Sequence, residues 1–498
     1  VNSTTRSPAP APARRGPLTV AQQQMWELHQ REPDPGALNL SYAIAVDGPL
    51  DVAALAEAFR SLVRTHEPLR TVYRKVGDNV VAQVGPAEVA LAAVELTPRS
   101  ADEPEAVRLI REDRVKPFDL TAGAPIRASL LHLGPGRHIL LLSLHHIVGD
   151  GWSIFVLREH LTRCYASTVR GEPFRPNPPR TECLEQARRQ REWLSGPAVD
   201  VELNWWKDRL RGATERPALL GVHRTVGEVR RQVEALPRQL TAELTALAKQ
   251  MRVSVFVVLL TAFEVLIERW SKCANVVVGT LAASRPTADS AEVLGAHYNP
   301  LLLNTDLDGA LSLLECLMRT AERTLSALDR QRLPYAILAG QVEREYGWAA
   351  APAVMFQMDR YPMEGLALAG CAVTGLYIDD GRDVSTIPAA TSADLTYFVR
   401  ETGTHLTLSV LYSATSFDDE SIRAAIRAYV EILVALCDAP ESVAPELELP
   451  NPVPDPAPAP AGGFGPSGRL KRMTEIGPVD AISPVGVWHR PRWEGGAP

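Results

Sequence analysis

"LHHIVGDGWS" (residues 144–153) places two adjacent histidines at the end of an apolar run and an Asp-Gly pair shortly after the second. Upstream, "HILLLSLHHIV" (138–148) is a near-continuous apolar segment of strand length, the pattern of a strand buried on both faces. Downstream, "WSIFVLREHLTRCYASTV" (152–169) reads as a helix, with Phe155, Val156, Cys164 and Tyr165 among its apolar positions. The motif therefore belongs at a strand-to-helix junction, where rigid elements flank a short loop and a helix N-terminus favours negative charge. Histidine is the side chain best suited to moving protons near neutral pH. His146, projecting into a cleft, can take a proton from an attacking amine or alcohol. Gly151 lets a ligand approach the backbone and leaves an N–H where an oxyanion would develop. Along an extended chain His145 must point the other way, as a buried, hydrogen-bonded support. Asp150 either contacts His146 or, the favoured reading, binds an arginine that fixes the loop. A His-rich turn with a helix-capping Asp would account for the same residues, so the rest of the chain has to decide.

At 498 residues the chain exceeds what one hydrophobic core usually organises, which points to two lobes. A composition of 46% hydrophobic and 22% charged residues is that of an ordinary globular protein, and a net charge of −7 argues against a nucleic-acid partner. No apolar run is long enough for a transmembrane helix, and "VNSTTRSPAPAPARRGPL" has no apolar signal core, so the expected location is cytoplasmic, away from membranes. The six cysteines, Cys164, Cys183, Cys273, Cys316, Cys371 and Cys437, show no metal-type spacing and read as reduced, mostly buried thiols; no metal site is expected.

Helical and strand patterns alternate on both sides of the motif. "DVAALAEAFRSLVRTH" (51–66) has a 3.6-residue apolar period with Asp51 as N-cap. In the second half, 241–271 predicts two helices, 275–284 a strand, 391–414 an antiparallel pair and 418–437 an amphipathic helix. The second half repeats the grammar of the first but lacks an HH…DG junction. Four segments follow: an N-terminal tail (1–17), a first lobe (18–178), a second lobe (179–445) divided from it near the Pro-rich "GEPFRPNPPR", and a Pro-rich C-terminal tail (446–498), expected to be mostly disordered.

The motif resembles the signature of the condensation domains of nonribosomal peptide synthetases, within the chloramphenicol-acetyltransferase-like acyltransferases. "LTVAQQQMWEL" (18–28), "RTHEPLRTVY" (64–73), "PFDLTAGAPIRASLLHL" (117–133), residues 253–285, "LGAHYNPLLLNTDL" (294–307) and "RLPYAILAG" (332–340) are similar to further blocks of that family, in the right order. The resemblance implies an α/β fold of two acetyltransferase-like lobes in a V, with a central tunnel. It implies a donor thioester on the phosphopantetheine arm of an acyl-loaded peptidyl carrier protein, and a small-molecule or carrier-bound amine or hydroxyl acceptor. No tightly bound cofactor is implied. His146 would face the tunnel, Gly151 would offer its N–H to the tetrahedral intermediate, and Asp150 would pair with Arg285. Gln357 falls near a position lining the acceptor side. Departures from the family pattern include "GAHYNPLLLNT", read as an added stretch carrying His297 and Tyr298, which are acceptor-side candidates. The Pro/Ala-rich ends suggest a free-standing enzyme. Other readings are an epimerisation domain, an acyl-coenzyme-A-dependent acyltransferase, or a recruitment module, although recruitment modules typically lose the intact histidine and glycine pattern.

Overall fold

In the computed structural model the described residues are 14–444, apart from 32–35, 92–93, 177, 218–228, 286, 308–310, 349–351, 361–362, 364, 379–392 and 403–404, together with 449 and 470–472. Two mixed six-stranded sheets organise the chain. The first runs, in spatial order, Leu470–Arg472, Ala372–Ile378, Asn39–Asp47, Arg137–His145, Ile126–Gly134 and Val94–Ser100. The motif strand, Arg137–His145, is thus interior, antiparallel to both neighbours, and buried along its last seven residues as its apolar run predicts. The second sheet runs Asn299–Asn304, Val277–Ala282, Val354–Arg360, Leu395–Thr402, His405–Ser413 and Val229–Ala235.

Each sheet carries its own core. In the first, Phe59 and Leu62 of the helix Val52–Thr65 meet Leu157, Leu161 and Tyr165 of the helix Gly151–Val169 and the buried residues of the motif strand. Asp51 caps the former helix by accepting the N–H of Ala54. In the second, the apolar helix Val255–Ser271 is buried without a break from Val257 to Ile267, against Phe356, Tyr397 and Tyr429. Among the described residues no single helix is long and apolar enough to cross a bilayer.

Three boundaries differ from the sequence reading. Arg15–Pro17, assigned to the N-terminal tail, forms a strand paired with Gln83–Val81. The helix Cys183–Leu194, assigned to the second lobe, packs on the first: Leu184 enters its core, and Arg188 and Arg191 donate to the carbonyls of Arg15 and Leu18. The strand Ala372–Ile378 also leaves the second half of the chain to pair with Asn39–Asp47. The Pro-rich connector marks a break in local structure, whereas lobe membership follows long-range burial and pairing. Of the C-terminal tail, Leu470–Arg472 extends the first sheet beside Ala372–Ile378; nearly all of the remainder lies outside the described residues. Among the described residues the cysteines are free thiols, with Cys164, Cys183 and Cys316 buried and Cys273, Cys371 and Cys437 partly exposed.

Candidate active site

The motif strand ends at His145, a short 3-10 turn spans His146–Val148, and the helix begins at Gly151 with Asp150 as its N-cap. Asp150 accepts from the backbone N–H and the hydroxyl of Ser153 at 2.9 and 2.8 Å. Arg285 closes on the same carboxylate in bidentate fashion, at 2.8 and 2.9 Å. The pair is almost wholly buried, with side-chain exposures of 2% for Arg285 and 5% for Asp150. Burial alone would raise the Asp150 pKa, but the charge and hydrogen bonds of Arg285, with help from His297 and Ser153, hold it down to about 2. Arg285 also donates to the carbonyls of Ala283 and Gly295, so one ion pair pins the motif loop to the segment after the strand Val277–Ala282.

His145 is satisfied at both ring nitrogens. Its Nδ1 accepts the Ile147 N–H at 3.0 Å, and its Nε2 lies 3.2 Å from Nδ1 of His29. Burial, reinforced by the neighbouring His29, His146 and Arg127, pushes its pKa well below the ordinary value. His146 is the contrast. It is 2% exposed, its backbone N–H donates to the Leu38 carbonyl, and neither ring nitrogen has a hydrogen-bond partner. Burial lowers its pKa, an effect only partly offset by nearby backbone carbonyls and Asp150, and so favours the neutral ring. A buried imidazole with two unpaired nitrogens is unfavourable for the fold unless something else uses it.

Gly151 is exposed at the first position of the helix, where backbone N–H groups lack intrahelical acceptors. A methyl group there would meet nothing within 4 Å, and its φ is not in the left-handed range. The fold itself does not demand glycine at this position. Gly295 is the opposite case: its φ is +150°, and an added Cβ would lie 2.7 Å from Nε2 of His297 and 3.2 Å from Sγ of Cys183.

The segment read as an added stretch leads into the strand Asn299–Asn304. Asn299 accepts the Tyr335 N–H and donates to the carbonyls of Gln331 and Leu333 at the start of its strand. His297 donates its backbone N–H to Asp150 at 3.1 Å, and burial, followed by the charge of Arg285, lowers its pKa to about 4. Tyr298 lies against His146, with ring centroids 5.3 Å apart, and its hydroxyl is 3.7 Å from Sδ of Met25. Gln357 is set apart. It lies in the second sheet on the face opposite Phe356, with its amide nitrogen buried and unpaired, and among the described residues no hydrogen bond joins it to the motif loop.

Sequence reasoning missed the part played by the first helix, Val20–Arg31. Thr19 and Gln22 form a reciprocal capping box at its start. The Gln22 amide then reaches the Ile147 carbonyl, Tyr73 hydroxyl and Cys183 Sγ at 3.2–3.3 Å. Gln22, Met25 and His29 follow helical spacing and share one face toward the turn that carries His146. That spacing is visible in the sequence, but its partners, 51 to 161 residues away, are not.

The condensation-domain family model matches residues 13–455. This chain belongs to the condensation-domain family. It is 30% identical over 433 residues to a linear gramicidin synthase of Brevibacillus parabrevis, an alignment covering 84% of this chain and 8% of that protein. It is 31% identical over 386 residues to phosphinothricin tripeptide synthetase PhsC of Streptomyces viridochromogenes, covering 74% of this chain and 33% of that protein. The chain thus spans only a small part of these curated relatives. Among solved structures, the first condensation domain of the calcium-dependent antibiotic synthetase, in complex with a substrate analogue, superposes with a TM-score of 0.70 at 21% identity, covering 88% of this chain and 99% of that one. The X-domain from teicoplanin biosynthesis gives 0.72 at 22% identity, covering 89% and 99%. The architecture is the two-lobed, chloramphenicol-acetyltransferase-like pseudodimer of condensation domains.

Proposed function

We propose that this condensation domain transfers an acyl or aminoacyl group from a carrier-protein phosphopantetheine thioester to an amine or hydroxyl acceptor. The observation carrying this reading is His146, a neutral imidazole with both nitrogens unpaired in a loop whose supporting groups, His145, Asp150 and Ser153, are hydrogen-bonded. In the proposed reaction the acceptor nitrogen or oxygen attacks the thioester carbonyl while His146 removes its proton. The carbonyl oxygen becomes an oxyanion facing the Gly151 N–H and the positive end of the helix. Collapse of the tetrahedral intermediate breaks the C–S bond, and the proton held by His146 goes to the departing thiolate. An amide or ester and a free phosphopantetheine thiol result.

A second reading, recruitment of another protein, has one observation in its favour: a teicoplanin X-domain of the same fold is solved in complex with OxyB. Retention of His146 and the open Gly151 favours catalysis. A mixed panel of amines and alcohols, given to the domain with acyl-loaded carrier protein and analysed by mass spectrometry, tests the assignment. Carrier-dependent amide or ester product is expected. Comparable rates from acyl-coenzyme A alone would overturn the carrier assignment, and solvent deuterium entering the donor without any acceptor would point to epimerisation.

A further inference from the structure

His29 has no place in the reaction described above, yet it completes a directional hydrogen-bond chain ending beside His146. Nδ1 of His145 accepts the Ile147 N–H, so that nitrogen carries no proton. Neutral His145 therefore holds its proton on Nε2, which points at Nδ1 of His29 at 3.2 Å. Nδ1 of His29 must in turn be an acceptor, with the His29 proton on Nε2. The rings meet edge to face, 4.9 Å between centroids, and Phe118 packs edge to face on His145 from another direction. Loss of the acceptor at His29 would bury an unsatisfied Nε2–H on His145. The alternative tautomer of His145 would set Nδ1–H against the Ile147 N–H and release the turn that orients His146.

We propose that His29 is a positioning residue: it fixes the His145 tautomer and, through the Ile147 N–H, the aim of His146. This rests on the reading of His146 as the base. In the full chain, His29→Phe keeps an aromatic ring without the acceptor, whereas His29→Asn returns an oxygen near the Nδ1 position. Hydrogen exchange at the Ile147 amide and imidazole nitrogen NMR of the histidine-labelled chain report the link without any need for turnover. Acyl-carrier turnover reports its consequence.

For His29→Phe we expect Ile147 exchange to rise about tenfold and kcat to fall about tenfold at unchanged KM, the scale of one unsatisfied buried donor. His29→Asn should restore both to within about twofold, because an acceptor is again present. Unchanged Ile147 exchange and an unchanged His145 tautomer in His29→Phe would overturn the proposal, as would a loss confined to KM or an Asn variant no better than Phe. Should the wild-type chain give no product, the proposed reaction falls, while exchange and NMR still decide the His29 link.

Discussion

The two lobes contain the same junction, and only the first carries a buried histidine with no hydrogen-bond partner. In the first, a strand ends at His145, Asp150 caps a 19-residue helix, and the cap accepts the Ser153 N–H at 2.9 Å. In the second, a strand ends at Ser413, Asp418 caps a 20-residue helix, and the cap accepts the Ser421 N–H at 2.7 Å. The two turns have equal length. Where the first has His146, the second has Ala414; where the first has Gly151, the second has Asp419. The polar side chains of the second turn serve the fold: Ser416 donates to Asp394, and Asp419 accepts from Tyr412 and Arg230. The pair separates what the architecture needs, a strand, a turn and a capped helix, from what it does not need, an unpaired imidazole and an open glycine.

The largest expected difference is in activity. His146→Ala brings the first junction to the state of the second, and turnover should fall by about 10²–10⁴-fold, the range for loss of a general base. Stability should change little, because the lost ring burial is offset by removing two unpaired buried nitrogens. Acyl-transfer assays beside thermal melts check both halves, and wild-type-like turnover would remove His146 from the mechanism. Next come the caps. Asp150→Ala leaves Arg285 buried without its carboxylate and should cost about 3–5 kcal/mol, whereas Asp418→Ala loses a helix cap worth about 1 kcal/mol. Urea denaturation of the two variants measures the gap. Equal losses would mean that Asp150 is only a cap.

Buried groups beside the helices Val52–Thr65 and Val255–Ser271 should answer pH with opposite signs. Burial lowers the pKa of His66 to about 3 and of His160 to about 4, both in the first core. The unfolded chain takes up those protons first. The stability that each contributes is therefore complete above about pH 6.5 and falls by about 1.4 kcal/mol per unit as pH drops toward about 4. In the second core burial raises the Glu264 pKa to about 7, even though Thr305 and Thr320 donate to its carboxyl group. There the folded state binds the extra proton, so its contribution is lost as pH rises from about 4.3 toward about 7. Hydrogen exchange of Val52–Thr65 and Val255–Ser271 at pH 7.5 and 5, corrected for intrinsic rates, should show the first helix loosening and the second tightening at the lower pH. Parallel changes would contradict the assignment.

Much of this was legible locally. The apolar run and the helical periods place the first junction, and the helix of the second, within a residue or two, because strand burial and helical amphipathicity are properties of neighbouring residues. The Asp150–Arg285 contact came from family resemblance, since nothing near either residue names the other. Three features required the fold itself. "AVTGLYI" carries no local sign that it will cross to the first sheet, and its partner lies more than three hundred residues earlier. "GAHYN" carries no local sign that the His297 N–H will reach Asp150, 147 residues earlier. Gln22 and His29 share a visible helix face, but the turn they grip is set by tertiary packing alone.

The finest distinction between the junctions lies at Gly151 and Asp419. A residue with a Cβ is accommodated in the second helix at the equivalent first position, and the first helix offers the same freedom: an added methyl at Gly151 meets no atom within 4 Å. Gly151→Ala should therefore leave stability unchanged or raise it by up to about 1 kcal/mol, through reduced freedom of the unfolded chain. If the space above Gly151 is where the tetrahedral intermediate turns its oxyanion, the methyl enters that space and kcat should fall, by about tenfold, with the thioester still bound. A stable variant with reduced kcat separates the helix start from the chemistry it serves. A stable variant with full kcat would mean that the oxyanion meets another donor and that the openness at Gly151 serves only entry of the substrate.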